Sequence, residues 1–126
     1  MSSAFSDAER AFLAEGGKLG HLATVDEHGR PHNVPLGWTY NADLDTIDIG
    51  GHDFARTRKF RNVQGNPLVC FVVDDVLPPW RPRAVQVRGR AEALPAATPY
   101  GGGGPVPMIR ITPAGVVSWG MEHVDA

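Results

Sequence analysis

Residues 68–93 read LVCFVVDDVLPPWRPRAVQVRGRAEA, and how this stretch divides decides the fold. Residues 68–73 form an unbroken apolar run around Val69, Phe71 and Val73, the pattern of a strand buried on both faces. Residues 84–93 alternate instead, with Val85, Val87 and Gly89 on one side and Gln86, Arg88 and Arg90 on the other. Between them, Pro78, Pro79 and Pro82 predict a stiff loop over residues 74–83 that displays Trp80 beside Arg81 and Arg83. Two strands with no helix between them point to antiparallel pairing rather than a β-α-β crossover.

The flanking sequence extends the same pattern. Ser6 and Glu9 have capping-box spacing, and Ala8, Phe12 and Leu13 give an apolar face that stops at Gly16 and Gly17, so a short helix is expected there. Residues 19–25 and 31–40 flank the turn-rich segment 26–30 and predict a β-hairpin. Residues 46–49 predict a third strand, ended by Gly50 and Gly51. Beyond the central stretch, Gly101, Gly102, Gly103 and Gly104 make residues 95–107 a mobile loop with neither stable helix nor central strand. Residues 108–112 and 116–119 predict closing strands around the bend at Pro113, Ala114 and Gly115. The sum is a mostly β chain: an antiparallel barrel of six to seven strands with one or two short helices.

Composition narrows the function. A chain of 126 residues, 42% hydrophobic and 21% charged, supports one domain over residues 1–126 and one core. It is too small to enclose a dinucleotide-sized cofactor alone, so a dimer is expected. Net charge −2 gives no global field toward nucleic acid or anionic membrane. Residues 1–10 are polar, and no run of about 18 apolar residues occurs, so a cytoplasmic chain is expected. The single Cys70 excludes an intrachain disulfide and reads as a buried thiol.

The chemistry concentrates in residues 56–62, Arg56-Thr57-Arg58-Lys59-Phe60-Arg61-Asn62, inside a helix predicted over residues 54–63. On that helix Arg56, Lys59 and Asn62 share one stripe while Phe60 and Val63 share another that packs on the sheet. Basic groups near a helix start and a Gly-Gly bend suit a phosphate. A solvated basic face is the ordinary alternative. RNA binding wants interleaved aromatics, and only Phe60 is present.

Elsewhere the signals are thinner. His32 and Asn33, beside Pro35, are polar where the strand pattern wants apolar residues; they face a pocket or are satisfied structurally. His21, His28, His52 and His123 lack metal-ligand spacing. No nucleophile elbow, Walker loop or dinucleotide fingerprint occurs. Asp74 and Asp75 are adjacent and project to opposite faces of a strand end, which does not make a catalytic pair. Trp80 and Trp119 read as buried-area anchors, with cofactor stacking as the second reading for Trp80.

Four segments together carry a resemblance: GHLATV at 20–25 with GRPH at 29–32, TRKFRN at 57–62 with Asn66-Pro67, VRGRA at 87–91, and IRITP at 109–113 with VSWG at 117–120. In order and spacing they resemble the pyridoxamine 5'-phosphate oxidase-like split β-barrel superfamily, above all its branch using coenzyme F420, a deazaflavin. The resemblance implies an FMN-binding split barrel that works as a homodimer with cofactor sites at the interface. It places Arg56, Thr57, Lys59, Arg61 and Asn62 at the cofactor phosphate, and His32, Asn33, Val34, Pro35, Gly50, Gly51 and His52 beside the ring system. It brings Trp80 and Arg81 in from the partner, and gives an acidic cofactor tail Arg58, Arg81 or Arg83 to pair with. The implied activity is hydride transfer from reduced F420 to a small conjugated substrate with no catalytic side chain. FMN is the alternative cofactor, and a non-catalytic flavin, haem or tetrapyrrole carrier the alternative role. Larger relatives carry a helix of the substrate pocket where residues 93–107 are short and glycine-rich.

Overall fold

The computed structural model describes residues 2–121, and His123 lies outside them. The chain runs through α1 (Asp7–Ala14), β1 (Gly20–Val25), β2 (Pro31–Leu36), β3 (Thr39–Asn41) and β4 (Thr46–Ile49). A 3-10 turn (Phe54–Arg56) and α2 (Arg58–Gly65) follow, then β5 (Leu68–Leu77), β6 (Arg81–Ala97) and β7 (Val106–Trp119). The seven strands make one sheet in the order β2-β1-β5-β6-β7-β4-β3, and every pairing in it is antiparallel. Its edges, β2 and β3, are consecutive in the chain and separated by Gly37 and Trp38 alone. A flat sheet of this width would hold its edges about 29 Å apart, whereas two linking residues reach only about 11 Å. The sheet therefore curls on itself into a split barrel.

The inner surface is predominantly apolar. Ile47, Ile49, Phe71, Val73, Val85, Val87, Ile109 and Ile111 are fully buried, and Phe12 and Leu13 of α1 join them. The capping box is present: Ser6 Oγ accepts from the Glu9 amide at 3.1 Å and Glu9 Oε1 accepts from the Ser6 amide at 2.8 Å. Arg83 ties α1 to the β5–β6 hairpin through Asp75 (2.6 Å) and Glu15 (3.0 Å), with its guanidinium 4.8 Å from the Phe12 ring.

Several expectations need correction. β5 is buried on one face only, with Val69, Phe71 and Val73 inward and Leu68 57% exposed, because nothing covers the sheet there. Cys70 points to that outer face and is half-buried rather than buried. Residues 74–83 are not a loop: β5 and β6 pair continuously to Leu77↔Arg81, leaving Pro78, Pro79 and Trp80 as the turn. Residues 31–40 are not one strand, since the break at Gly37 and Trp38 sends the two halves to opposite edges.

The glycine-rich segment also shrinks, because Ala97 pairs with Val106 and only residues 98–105 lie between the strands. Residues 106–119 form one strand, and the bend at Pro113, Ala114 and Gly115 is absorbed as a bulge opposite Arg88 and Gly89. That bulge explains Gly89: a Cβ there would lie 2.4 Å from the Thr112 carbonyl oxygen. Gly89→Ala is expected to destabilise the fold by about 1–3 kcal/mol, read as a lower urea midpoint with an unchanged slope.

Candidate functional site

The site is built where α2 lies against β1 and β2. The predicted helix over 54–63 is interrupted at Thr57, which is extended (φ −79, ψ 157) and whose Oγ1 accepts from the Phe60 amide at 3.3 Å. The helix thus starts at Arg58, and Arg56 sits on the preceding turn, out of the stripe expected with Lys59 and Asn62. Phe60 and Val63 are buried against the sheet, as their spacing predicted. Asn62 is buried as well, and its Nδ2 donates to Thr24 Oγ1 of β1 at 3.0 Å. Phe54 meets Phe60 edge-on and places its own ring 5.3 Å from Lys59 Nζ, which steers the ammonium toward the sheet.

Two adjoining cavities result. The smaller, about 110 Å³, is lined by Leu22, Thr24, His32, Val34, Arg58 and Lys59. At roughly 30 Å³ per water it has the capacity of three or four waters, the scale of a phosphate group. The larger, about 830 Å³ and open to solvent, is lined by Val25, Asp26, Glu27, Gly29, Arg58, Arg61, Asn62, Gly65 and Asn66. Arg58 borders both.

The buried carboxylate among the lining residues is engaged in place. The Asp26 side chain is buried and accepts from His32 Nε2 (2.9 Å), Arg30 Nε (3.0 Å) and the amides of His28 (2.8 Å) and Arg30 (3.0 Å). The His32 bond above all, with the two amides and the Arg30 side chain, holds the Asp26 carboxyl well below the usual carboxylate range. The same bonds fix the β1–β2 turn and set the His32 ring in the wall of the small cavity. Among the described residues, Arg58, Lys59 and Arg61 enter no ion pair, whereas Arg30, Arg83 and Arg110 all do. Arg56, Arg81, Arg88 and Arg90 are likewise without an ion pair among the described residues, and α2 carries the densest cluster of such charge, three side chains within four positions.

The expected site residues divide on this geometry. His32, Val34 and Lys59 meet at the small cavity, and Arg61 and Asn62 reach the larger one. Asn33 and Pro35 alternate to the other face of β2, outside both. Gly50 and Gly51 line a separate groove of about 300 Å³ with Tyr100, Pro107 and Met108. His52 is 96% exposed, Arg56 lines neither of the two cavities beside α2, and Thr57 serves as the helix cap. Trp80, 74% exposed, and Arg81 occupy the tip of the β5–β6 hairpin. With Cys70 paired to Ala23, strand rise puts that tip about 23 Å from the α2 side of the sheet, so one chain does not bring them to the cavities. Arg83, expected as a tail partner, is buried on Asp75 and Glu15.

Two lining residues escaped sequence reasoning as phosphate contacts. Arg58 sits between Thr57 and Lys59, and the interruption at Thr57 turns it toward the sheet. Thr24 reads as an ordinary β-former, and no sequence signal marks it. Among the described residues no group of three or more His, Cys, Asp or Glu side chains is arranged to hold a metal, and no helix is long and apolar enough to cross a membrane.

The family profile and a reductase relative make the chain an oxidoreductase of the split-barrel kind. The chain belongs to the pyridoxamine 5'-phosphate oxidase family, whose profile matches residues 5–116. It is 46% identical over 125 residues to a 5a,11a-dehydrotetracycline/5a,11a-dehydrooxytetracycline reductase of Streptomyces rimosus, covering 94% of this chain and 84% of the relative. A conserved hypothetical protein of Mycobacterium tuberculosis superposes with a TM-score of 0.72 at 21% identity, over 97% of this chain and 89% of that one. A structure described as an F420 reductase superposes at 0.62 with 24% identity, over 84% and 94%. These two likenesses establish the fold.

The Asp26 network has a pH signature. A carboxyl held low in the folded state adds stability that is present above its unfolded value, about 3.9, and is lost as pH falls toward the folded one. Asp26→Asn is expected to lower the urea midpoint at pH 7, and the gap from wild type is expected to narrow as pH drops below about 4. An equal gap at pH 7 and pH 3 contradicts the assignment.

Proposed function

We propose that the protein is a cytoplasmic, homodimeric oxidoreductase that binds coenzyme F420 and serves hydride transfer to a small conjugated organic substrate. The observation that carries this is the small cavity in which Thr24, His32, Arg58 and Lys59 converge. Its donors and charge fit a phosphate group, and at about 110 Å³ it accommodates one. The bound cofactor supplies the hydride chemistry, and this chain's residues bind, orient and exclude water. Arg58 and Lys59 hold the phosphate, His32 is kept in place by Asp26, and Val34 gives the ring an apolar edge.

The wide cleft beside the phosphate cavity favours F420 over FMN. FMN ends at its phosphate, whereas F420 continues into an acidic tail, and Arg58 and Arg61 stand unpaired along that cleft while Asp26 is already engaged and Glu27 stands at its rim, 3.5 Å from His28 Nε2. The substrate class is supported by the 46% identical relative, named for reducing dehydrotetracyclines. A homodimer is supported by the outer sheet face, where Val117 and Trp119 are 46% and 47% exposed beside the half-buried Val72. Pairing two copies there buries an apolar patch and carries the Trp80 and Arg81 tip of one copy toward the cavity of the other.

Three results test this reading. Equilibrium titration is expected to show F420 binding more tightly than FMN, with Arg58→Ala and Lys59→Ala each weakening it about tenfold. Binding of neither below about 100 μM defeats the proposal. Oxidation of reduced F420 by 5a,11a-dehydrotetracycline is the activity readout, and binding without reduction of any acceptor identifies a carrier instead. Trp119→Glu is expected to shift the sedimentation coefficient from dimer to monomer, and a wild-type monomer rules out the dimer.

A further inference from the structure

Thr24 is 2% exposed and its hydroxyl belongs to the wall of the small cavity. A hydroxyl offers one donor and two acceptor lone pairs. Asn62 Nδ2 donates to Thr24 Oγ1 at 3.0 Å, which uses a lone pair and leaves the O–H proton unspent. Among the described residues the Thr24 O–H makes no donor bond of its own. Buried polar groups left without a partner are destabilising; of the other polar neighbours on the cavity wall, His32 turns its Nε2 to Asp26 and makes no hydrogen bond to Thr24 among the described residues, and Arg58 and Lys59 are donors. The wall thus presents a neutral donor from the sheet facing two cationic donors from the helix, and an anion between them satisfies all three.

Resting on the phosphate reading above, we propose that Thr24 is a phosphate-binding residue whose hydroxyl donates to a phosphate oxygen, and that Asn62 is its positioning residue. Asn62 contributes by direction: its amide hydrogen occupies the Thr24 oxygen from the α2 side, so the hydroxyl proton is directed to the cavity. The Asn62 side chain borders the larger cleft as well, which links the anchoring of α2 to the orientation of the phosphate donor.

The test compares ligands that differ by the phosphate: F420 against its phosphate-free deazaflavin chromophore, and FMN against riboflavin, titrated by fluorescence on the full chain. Thr24→Val keeps the side-chain shape and removes the hydroxyl. It is expected to weaken the phosphate-bearing member of each pair about tenfold and the phosphate-free member less than twofold, with Thr24→Ser restoring wild-type affinity. Asn62→Asp puts an acceptor where the amide donated, draws the hydroxyl proton away from the cavity, and is expected to give the same selective loss. Equal weakening of both members, or none, overturns the proposal and leaves the phosphate reading standing.

A wild type that does not distinguish the members of either pair defeats the phosphate reading itself, and the Thr24 assignment with it. If the Thr24 substitutions do not fold, the Thr24 methyl resonance of the wild type decides. It must move on adding F420 or FMN and stay in place with the phosphate-free partners, and the same response to both overturns the proposal.

Discussion

The link of Gly37 and Trp38 between the two sheet edges is the constraint from which the rest of the molecule follows. It is too short to cross an open sheet, so the strands curl until β2 and β3 stand near each other. Trp38 is pinned as it crosses: its Nε1 donates to the Lys18 carbonyl at 2.9 Å and its ring meets Phe71 edge-on at 5.8 Å. Gly20 makes this possible, because a Cβ there would lie 2.4 Å from the Phe71 ring and 2.9 Å from Trp38. Closure gives the barrel a dry interior and leaves β2 as an edge whose His32 and Val34 side is free to face α2.

On that frame the electrostatics are selective rather than global. Several acids are neutralised in place: the buried Asp26 by His32 and Arg30, the buried Asp48 by Arg110, and the half-buried Asp75 with the more exposed Glu15 by Arg83. The Arg83 side chain holds Glu15 below its ordinary value, and Asp75 with Glu15 pushes Arg83 above its own. Among the basic side chains without an ion pair in the described residues, three cluster on α2, which is docked on β1 by Phe60, Val63 and the Asn62–Thr24 hydrogen bond. A chain of net charge −2 can therefore present a local anion site.

Much of this was legible from residue order because it rests on local chemistry. The capping box, the strand at residues 46–49 and the apolar stripe of Phe60 and Val63 follow from spacing alone. The readings that failed depended on tertiary pairing. Pairing across Val76↔Pro82 extends the β5–β6 hairpin through prolines that locally signal a loop, and the Ala97↔Val106 pair shortens the glycine-rich connection in the same way. At the site, the extended conformation of Thr57 places Arg56 outside the two cavities and Arg58 in the lining of both. Thr24 became visible only once the helix was docked, since its role depends on a partner 38 positions away.

A crystal structure of the protein with F420 or FMN bound tests the central claim most directly. The account predicts the phosphate in the small cavity, within hydrogen-bonding distance of Thr24, Arg58 and Lys59, with the F420 tail leaving along the cleft past Arg61. A phosphate seated instead in the groove between Gly50, Gly51 and Tyr100, with the α2 cavity holding only solvent, would contradict it.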